Sequence, residues 1–463
     1  MSQPKMIVAF TAKGMGIGKD GKIPWSIRED LARFAMVTWG EAVIMGTKTW
    51  LSLPRRPLAD RWNIVVTTQW PNVMKVWNDN TLIIHESELG NVHNLSKAKI
   101  FWVIGGAKLY ARYMGIAEEI HATIIDKDFD CDVHFPLAGF NTYVVDSYSE
   151  LKFSDTENCT YRYVMYKKSD NIEEKEDIYL NHVRRILEQG DHRTDRTQTG
   201  TISIFGTQLR FDISRCFPLI TTKHVPFKAV IKELLFFLRG QTNSKALEEQ
   251  NVHIWKANTT REFLDKRGLT TYAVGDMGPM YGFNWRYFGA EYRGCDATYT
   301  GQGYDQLLQL IEGLKSDPFS RRHMLTTFNP AEVDKSVLAP CHGIVVQFYV
   351  HDAARLSCHV YIRSSDTFLG LPFNIASYAA LTYLIAKMCD MRPQNLIVSI
   401  GDAHIYKNHV DQLREQLVRA PYPFPCLEIA DAVLTKSFEE ITVEDFTLVN
   451  YMHHPAIKGV MAV

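Results

Sequence analysis

A cysteine and an arginine on neighbouring strand-like segments are the residues of this chain best placed to do chemistry. Cys341 follows a proline in the segment 338–343 and precedes the apolar run 344–350. The next strand-like run carries Arg363 and ends in a polar cluster at 364–366. A cysteine is a nucleophile only as the thiolate, and a nearby arginine lowers the pKa of a thiol. The pair indicates covalent catalysis on an anionic substrate, although many cysteines at strand starts are simply small buried side chains.

Arginine recurs beside short polar motifs in the same half of the chain, at Arg196 and in the pair Arg321 and Arg322. A guanidinium group binds phosphate through two parallel hydrogen bonds, so a cluster of arginines forms a phosphate site. A single such arginine is more often a surface residue, and only the fold brings the four positions together. If they converge with Arg363, the substrate carries a phosphate.

Asp30 is the acidic candidate in the first half of the chain. Helical spacing over 27–37 places it on the inward face with Leu31 and Phe34. Apolar surroundings raise the pKa of a carboxylic acid, which can then pair with the amidine-like edge of a heterocycle. The other interpretation is a first-turn acid stabilised by the helix dipole.

Two glycine-rich segments could approach phosphate groups. Gly105 and Gly106 lie between a strand-like run and a helix-like run, where glycine lets backbone N–H groups approach a phosphate. Glycine is also common at such turns for geometric reasons alone. The segment 14–18 lies in a long loop that does not lead directly into a helix, so we do not interpret it as a dinucleotide-binding motif.

Length and composition describe an ordinary globular protein. The chain has 463 residues, 46% hydrophobic and 22% charged, which predicts two domains. A net charge of −1 gives no general attraction to nucleic acid or membranes. The eight cysteines form no CxxC pair, which argues against a metal site and a disulfide framework and favours a reducing compartment.

The apolar stretches of the chain are short. The N-terminal one is too short for a secretory signal, and the helix-like window 376–386 is too short to span a bilayer. We therefore expect a soluble, cytoplasmic protein without a membrane partner.

A charged, non-periodic stretch at 167–177 separates two regions rich in aromatic residues. It predicts a first domain over 1–168, a short linker over 169–177 and a second domain over 178–463. The first domain alternates strand-like and helix-like runs, which is typical of an α/β domain with a largely parallel central sheet. The second domain has helix-like runs at 227–238, 304–315, 374–389 and 407–419 beside strand-like runs around 343–350 and 355–364, and it is predicted to be α+β.

Separated motifs in the first domain resemble dihydrofolate reductase. They are IGKDGKIPW at 17–25, VIMG at 43–46 and VIGG at 103–106, with Asp30, Thr49, Trp50, Arg61, Thr123 and the pair Phe135 and Pro136. The resemblance covers about residues 5–168.

The resemblance implies a folate site and an NADPH site. Asp30 and Thr123 would anchor the pterin ring, and Trp25 would hold a water molecule near it. Further residues implied to contact folate are Val8, Ala9, Leu31, Phe34 and Arg61, with Arg61 on the glutamate carboxylate. Residues implied to line the NADPH site are Ile17, Gly18, Gly46, Lys48, Thr49, Thr67, Thr68, Ile104, Gly105, Gly106 and Tyr110. Thr47 stands where the family usually has a basic residue, so Lys48 is the expected partner of the 2′-phosphate.

The second domain resembles thymidylate synthase from about residue 177 to the C-terminus. The motifs are FPLITTK at 217–223, KELLFFL at 232–238, GPMYG at 278–282, PCH at 340–342, GLPFNIASY at 370–378 and GDAHIY at 401–406. The resemblance implies that Cys341, activated by Arg363, adds to C6 of dUMP. 5,10-Methylenetetrahydrofolate is the implied cosubstrate.

The same resemblance implies roles for other side chains. Glu233 would relay protons to the pyrimidine oxygen, Tyr281 would assist removal of the C5 proton, and Asn374 would recognise the amide edge of uracil. Residues implied to bind the phosphate and sugar of dUMP are Arg196, Arg321, Arg322, Ser364, His404 and Tyr406. Residues implied to hold the folate cosubstrate are Asp366, Trp255, Asn258, Leu369, Gly370, Phe373 and Val463.

Three positions depart from the thymidylate synthase pattern. Lys256 stands where the family usually has aspartate, His224 where it has arginine, and Ile362 where it has glutamine. They lie next to the segments implied to hold the nucleophile, the folate cosubstrate and the C-terminus. None of them replaces a residue implied to take part in making or breaking bonds.

The resemblance also implies an assembly and a combined function. In this family Arg321 and Arg322 reach into the partner subunit's site, so we expect a two-fold homodimer through the second domain. We expect a bifunctional folate enzyme that makes dTMP from dUMP and reduces the resulting dihydrofolate with NADPH. The alternative is that one domain has lost catalysis and remains as a structural or RNA-binding module. The presence of both Cys341 and Asp30, and the lack of basic-aromatic stripes, argue against it.

Overall fold

A computed structural model of the chain describes residues 4–69, 75–78, 80–91, 100–194, 199–352 and 354–460. Internal contacts divide the chain into two units, the first formed in the main by Met1–Asp170 and the second by Asn171–Arg419 and Phe424–Val463. Within the described ranges, no helix is both long and apolar enough to cross a membrane.

The first unit is a sheet flanked by short helices. Its strands are β1 (Lys5–Thr11), β2 (Gly16–Gly18), β3 (Ala42–Gly46), β4 (Trp62–Thr67), β5 (Lys75–Asn78), β6 (Thr81–His85), β7 (Phe101–Gly105), β8 (Glu119–Asp126), β9 (Val133–His134), β10 (Tyr143–Tyr148), β11 (Lys152–Ser154) and β12 (Cys159–Lys168). Its helices are α1 (Arg28–Val37), α2 (Thr47–Ser52) and α3 (Ala107–Tyr113).

The main sheet of this unit is parallel at its centre. The strand order is β10–β12–β8–β1–β7–β3–β4–β6–β5, and every neighbouring pair from β8 to β6 is parallel. The strands β5, β12 and β10 add antiparallel edges. Val43, Ile44 and Met45 are fully buried in succession, as expected for a central strand covered on both faces. The predicted α/β class is confirmed.

The second unit contains long helices and long strands. Its helices are α4 (Asp177–Gln189), α5 (Phe227–Leu238), α6 (Lys245–Glu248), α7 (Arg261–Lys266), α8 (Gly282–Tyr287), α9 (Gln306–Ser316), α10 (Gly370–Met388) and α11 (Val410–Leu417). Its strands are β13 (Asp191–Arg193), β14 (Thr201–Asp212), β15 (Met324–Leu325), β16 (Val345–Val350), β17 (Arg355–Asp366), β18 (Arg392–Tyr406), β19 (Cys426–Ile429) and β20 (Phe446–Val449).

One face of the main sheet in the second unit is packed and the other is open. The strand order is β13–β14–β18–β17–β16–β15, with β17 and β18 parallel and the other pairs antiparallel. The almost entirely apolar helices α5 and α10 pack against each other, and α10 covers β17 and β18. On the open face, where the cross-strand register places Tyr349 and Tyr361, these two side chains are 59% and 39% exposed. The core of this unit therefore lies on one side of the sheet only.

The start of the second unit is not a solvated linker throughout. Glu174 and Glu176 are 2% and 1% exposed. Arg215 pairs with Glu174 at 2.6 Å, and the backbone N–H of Thr221 donates to Glu176 at 2.6 Å. The predicted boundary at 169–177 stays a prediction, although this end of the charged segment packs within the second unit.

Candidate active sites

Cys341 lies in the turn that leads into β16, beside the end of β17. The backbone N–H of Arg363 donates to the carbonyl of Cys341 at 2.8 Å, which fixes the turn against β17. The Arg363 guanidinium donates to the carbonyls of Pro340 and Ala339 at 3.3 and 3.4 Å. Arg363 therefore braces the turn as well as supplying a positive charge.

The hydroxyl of Tyr281 makes two contacts with Cys341. Its oxygen accepts a hydrogen bond from the Cys341 backbone N–H at 3.1 Å and lies 3.2 Å from the Cys341 sulfur. Because the oxygen already accepts from the backbone, the hydroxyl proton is free to point at the sulfur. Tyr281 is 1% exposed and has a φ of 43°, a value that few non-glycine residues adopt.

Burial outweighs Arg363 in setting the protonation state of the nucleophile. Burial raises the pKa of the Cys341 thiol, while the Tyr281 hydrogen bond and the Arg363 charge act in the opposite direction. In this single chain without substrate, Cys341 is therefore a thiol at neutral pH. The effect of Arg363 has the sign that we predicted, but it is not the dominant effect.

Glu233 on α5 is a buried carboxyl group that titrates near neutral pH. It is 8% exposed, and burial raises its pKa to about 7, while a hydrogen bond from Trp255 acts against that rise. The indole Nε1 of Trp255 donates to Glu233 at 2.8 Å. A group that is half protonated at neutral pH can both give and take a proton.

His342, which sequence reasoning did not single out, completes the surroundings of the nucleophile. Its ring stacks on Tyr281 with centroids 4.3 Å apart, and its Nδ1 lies 2.8 Å from the hydroxyl of Tyr378. Burial lowers the pKa of His342 to about 3, so the ring is neutral. The next residue, Gly343, has a φ of 64°, and a Cβ there would lie 2.2 Å from the Tyr378 hydroxyl. The sequence feature that could have indicated a role for His342 is its place beside Cys341 in the segment PCHG at 340–343.

The ends of β17 and β18 bring four of the expected side chains together. Ser364 is paired with Asp402 and Asp366 with His404 across the parallel strands. His404 and Tyr406 have ring centroids 5.1 Å apart. The Nδ1 of His404 lies 3.4 Å from a carboxylate oxygen of Asp402.

Lys223 is a second residue that sequence reasoning quoted in a motif but gave no role. It is 5% exposed, its ammonium group donates to the carbonyl of Phe368, and it lies 3.7 Å from the Phe368 ring centroid. Burial lowers the pKa of Lys223 to about 7, while the charges of Asp366 and Glu176 act in the opposite direction. Only the fold reveals this burial, since lysine is usually exposed.

The remaining expected residues of the second unit occupy different surroundings. Partly buried residues at and before the first turn of α10 are Leu369, Gly370, Phe373 and Asn374. Asn258 is 8% exposed and lies near Trp255, whose carbonyl accepts the Asn258 backbone N–H. Arg321 and Arg322 are both exposed in the turn after α9. Arg196 and Val463 lie outside the described residues.

The three departures from the family pattern are tied into the second unit. Lys256 lies 3.5 Å from Glu248, and Ile362 is fully buried. The ring of His224 packs against that of His453, with centroids 4.6 Å apart and the planes tilted by 47°.

Asp30 in the first unit lies opposite Thr123. The Thr123 hydroxyl donates to the Asp30 carboxylate at 2.5 Å. Burial raises the pKa of Asp30, and the Thr123 hydrogen bond and the Arg33 charge oppose that rise. Ala9 is paired with Thr123 across the parallel strands β1 and β8, which brings Val8 and Ala9 to the same place. Asp30 lies in the first turn of α1 and is also partly buried, so its position is compatible with both interpretations.

The side chains around Asp30 differ in exposure. Phe34 is partly buried, with its ring centroid 5.8 Å from the Arg61 guanidinium, whereas Leu31 is 54% exposed. Arg61 is 9% exposed, and its Nε donates to the Ala59 carbonyl at 3.0 Å. Trp25 is 8% exposed and packs against Phe129.

The carboxyl ends of adjacent parallel strands collect most of the residues expected around NADPH. Across β7, β3 and β4, Gly105 is paired with Met45 and Gly46 with Val66. Gly105 has a φ of 139°, and a Cβ there would come within 3.0 Å of the Thr49 hydroxyl. This crowded edge needs glycine, and it fits a cofactor whose phosphates approach the backbone.

The other residues implied to line the NADPH site lie either near this sheet edge or in the interior of the first unit. Gly46 and Gly106 immediately precede α2 and α3. Lys48 and Thr68 are exposed, and Ile104 is partly buried. Thr67 is 4% exposed and Tyr110 3%, with the Tyr110 hydroxyl donating to the Ile7 carbonyl at 2.8 Å. Ile17 and Gly18 lie on β2, which pairs with β9.

Family models match both parts of the chain. The model described as dihydrofolate reductase matches residues 5–168, and the model described as thymidylate synthase matches residues 177–463. A bifunctional dihydrofolate reductase-thymidylate synthase from Paramecium tetraurelia is 41% identical over 99% of this chain and 98% of its own. Proteins of the same description from Zea mays and Arabidopsis thaliana are 39% and 40% identical over 99% of this chain, and over 96% and 88% of their own.

This chain belongs to the bifunctional dihydrofolate reductase–thymidylate synthase family. It carries both catalytic domains, so the expected combined function is confirmed. As a bifunctional dihydrofolate reductase–thymidylate synthase, it methylates dUMP to dTMP with 5,10-methylenetetrahydrofolate and reduces the resulting dihydrofolate with NADPH. The alternative of one catalytically impaired domain is not favoured.

Proposed function

We propose that Cys341 is the nucleophile of the synthase reaction and that Asp30 is the acidic group of the reductase reaction. The observation that carries the first assignment is the contact of Tyr281 with both the backbone N–H and the sulfur of Cys341. The observation that carries the second is the partly buried carboxyl group of Asp30 against Thr123.

In the synthase site, the sulfur of Cys341 bonds to C6 of dUMP, and the C5–C6 electron pair moves towards the C4 oxygen. Because only the thiolate is nucleophilic, the thiol first gives its proton to solvent, and the charge that reaches the C4 oxygen on addition is met by a proton from Glu233. Arg363 and the Tyr281 hydroxyl favour the thiolate, against the burial that holds the free protein in the thiol form. The methylenetetrahydrofolate cosubstrate supplies the carbon and the hydride.

Glu233 is proposed to hold the proton that the pyrimidine oxygen needs as its charge develops. Its pKa of about 7 makes the protonated form available at neutral pH. Tyr281 is proposed to assist removal of the C5 proton, and Asn374 to recognise the amide edge of the base. Ser364, His404 and Tyr406 lie at the same strand ends and are proposed to bind the phosphate and the sugar hydroxyl of dUMP.

We propose folate contacts in both units. In the second unit they involve Asp366, Trp255, Asn258 and the start of α10. In the first unit they involve Val8, Ala9 and Phe34 around Asp30, and Arg61 on the glutamate carboxylate of folate.

In the reductase site, Asp30 and Thr123 are proposed to bind and orient the pterin ring. The protonated carboxyl group of Asp30 is the proton source, and its raised pKa supports that role. NADPH supplies a hydride when it binds at the carboxyl ends of β3, β4 and β7. Gly105 and Thr49 fit the phosphate side of that site, with Lys48 towards the 2′-phosphate.

We propose that the second unit forms a two-fold homodimer through the open face of its sheet. Supporting this are the exposed aromatic side chains of Tyr349 and Tyr361 on one face. Arg321 and Arg322 are exposed in their own chain, which suits a role in the partner's phosphate site.

The two assignments can be tested by separating the activities. In Cys341→Ala we expect dTMP formation to fall by a factor of about 10⁴ or more, because the nucleophile is lost, while NADPH-dependent reduction of added dihydrofolate is kept. Cys295→Ala, another partly buried cysteine, is the matched control and should keep both activities. If Cys341→Ala still makes dTMP at the unmodified rate, Cys341 is not the nucleophile.

Asp30→Asn should show the reverse pattern. We expect reduction of dihydrofolate to fall by a factor of about 10²–10⁴ at neutral pH, with partial recovery at lower pH as the substrate becomes protonated in solution. Formation of dTMP should be unchanged. A reductase pH profile identical to that of the unmodified protein would exclude Asp30 from this role.

A further inference from the structure

Arg33 is a cation in the reductase site for which the family resemblance supplied no role. It lies three residues after Asp30 on α1, so the two side chains share one face of the helix. Its guanidinium carbon lies 4.5 Å from the ring centroid of Tyr163 on β12. Tyr163 is in turn paired with Thr123, the hydrogen-bond donor to Asp30.

Packing against Tyr163 does not by itself explain why an arginine is buried at position 33, because burying a charged group costs free energy. Its Nη1 is buried and has no hydrogen-bond partner within the described part of the chain. A neutral side chain would stack on Tyr163 without leaving a charged donor unpaired. Burial lowers the pKa of Arg33, although the charge of Asp30 counters this, and the group remains a cation. What Arg33 adds to this site is therefore its charge.

We propose that Arg33 is a positioning residue of the reductase, a counter-charge to the Asp30 carboxylate that sets the pH range in which Asp30 holds a proton. The proposal rests on the role proposed above for Asp30. Arg33 itself exchanges no proton and acts through Asp30.

The other polar groups around this pair do not supply that charge. On α1, Glu29 is an exposed acid. From β12, Tyr161 and Tyr163 face Asp30 with phenol groups whose pKa values are raised by burial, so they stay neutral. From β8, Thr123 is neutral. Burial lowers the pKa of His121, which is also on β8. Its 3.1 Å contact with Glu119 acts in the opposite direction.

The sign of the expected effect follows from electrostatics. A nearby positive charge favours the ionised carboxylate, so removal of the Arg33 charge should raise the pKa of Asp30 further. Reductase activity that depends on protonated Asp30 falls as the pH rises through this pKa. In Arg33→Gln the fall should therefore occur about one pH unit higher, the low end of the roughly one-to-three-unit shift that a nearby opposite charge produces in a carboxyl group.

The experiment compares charge removal with charge retention. The pH dependence of kcat/KM for dihydrofolate is measured for Arg33→Gln and Arg33→Lys in the full chain, and binding of dihydrofolate is titrated across the same pH range without NADPH. Arg33→Gln should shift both profiles upwards by about one unit, and Arg33→Lys should keep them within a few tenths of a unit. NADPH binding, measured separately, reports that the first unit of each variant is folded.

Arg162 provides a matched control. It also stacks on a tyrosine, with its guanidinium carbon 5.3 Å from the Tyr148 ring centroid, and it also has a buried Nη1 without a partner in the described ranges. Arg162→Gln should leave the pH profile in place. If it shifts the profile as Arg33→Gln does, or if Arg33→Lys behaves like Arg33→Gln, Arg33 acts through packing and the proposal is overturned.

Asp30→Asn distinguishes this inference from the proposal on which it rests. With Asp30 replaced, adding Arg33→Gln should cause no further shift of the profile, because the two changes act on one group. If Asp30→Asn changes the profile while Arg33→Gln does not, only the inference about Arg33 fails. If Asp30→Asn leaves the profile unchanged, the role of Asp30 itself fails.

Discussion

Burial shifts the pKa values of three ionisable groups in the synthase site, Cys341, Glu233 and His342. It raises those of the two acids and lowers that of the histidine. Burial raises the pKa of the thiol and of Glu233, the latter to about 7, and lowers that of His342 to about 3. At neutral pH the free site therefore holds a thiol, a half-protonated carboxyl group and a neutral imidazole. The positive charge that favours the thiolate comes from arginine and not from His342.

Trp255 should tune the pH range in which Glu233 works. Its indole N–H donates to the carboxylate, so Trp255→Phe removes a bond to the charged form and should raise the pKa of Glu233 by about one unit. The pH profile of kcat for dTMP formation should move upwards by that amount. The control is Trp285→Phe, because the Nε1 of Trp285 has no partner within the described residues. A profile that moves equally in both variants would contradict this role.

The sequence alone led to Cys341 as the proposed nucleophile, but it did not give the protonation state of the thiol. Cys341 and Arg363 lie 22 positions apart, and their nearness follows from adjacent strand-like runs. The hydrogen bond that acts together with Arg363 against burial comes from Tyr281, which is 60 residues away and lies in another segment. The pKa of a group depends on the combined effects of all the residues packed around it. The order of residues in the sequence does not show which residues those are.

At the scale of elements, local patterns predicted helices better than long-range strands. The helix predicted over 227–238 has those bounds in the structure. The helix predicted from 304 begins at Gln306, because the Asp305 side chain caps it by accepting from the Leu308 N–H at 3.0 Å. The helix predicted from 374 begins at Gly370, since Pro372 is tolerated in a first helical turn.

Two long strands of the second unit were not predicted. They are β14 and β18, which pair with each other over their length. Gly206 has a φ of 76° within β14, and β18 contains Pro393 and Gly401, so both runs resemble loops locally. Their pairing partners are nearly 200 residues apart in sequence, and these strands position His404 and Tyr406. Pairing at that separation has no local signature.

Helix α4 contains a buried histidine that should make the second unit sensitive to acid. His182 is 4% exposed, and both its ring nitrogens lack a partner within the described residues. Burial lowers its pKa to about 4, against about 6.5 in the unfolded chain. The unfolded state therefore binds more protons between these values, and stability is lost as the pH falls from about 6.5 towards 4.

Replacing this histidine should remove that loss. As the pH falls from 7 to 5, protonation of His182 in the unfolded state should lower the free energy of unfolding by about 2 kcal/mol. In His182→Leu the free energy of unfolding should fall by about 2 kcal/mol less over the same pH range. Urea titrations at the two pH values measure it. His192→Leu, a change at an exposed position on β13, should leave the pH dependence as it is. If both variants lose the same pH dependence, His182 is not its source.

At the scale of the whole molecule, the proposed dimer through the open sheet face bears on whether one subunit holds a complete synthase site. The face exposes aromatic side chains that a monomer would leave in water, and Arg321 and Arg322 are exposed in their own chain. If the second unit dimerises through this face, disruption of the dimer should remove part of the phosphate site.

A charge placed on the open face should therefore separate the subunits and the activities. We expect Tyr349→Asp to give monomers in sedimentation experiments and to reduce dTMP formation at least tenfold, with reduction of dihydrofolate retained, because a buried unpaired charge opposes association. Leu434→Asp places the same charge at a position that is 55% exposed elsewhere in the second unit, and it should change neither property. A Tyr349→Asp monomer with full dTMP formation would show that each subunit's site is self-sufficient.

The raised pKa of the Cys341 thiol also bears on how long the enzyme lasts. Oxidants and alkylating reagents attack the thiolate, so a cysteine held as a thiol reacts slowly with them. The Arg363 charge and the Tyr281 hydrogen bond favour the thiolate, but burial is the larger effect. The burial that raises the pKa of the Cys341 thiol should therefore also slow its oxidation and alkylation.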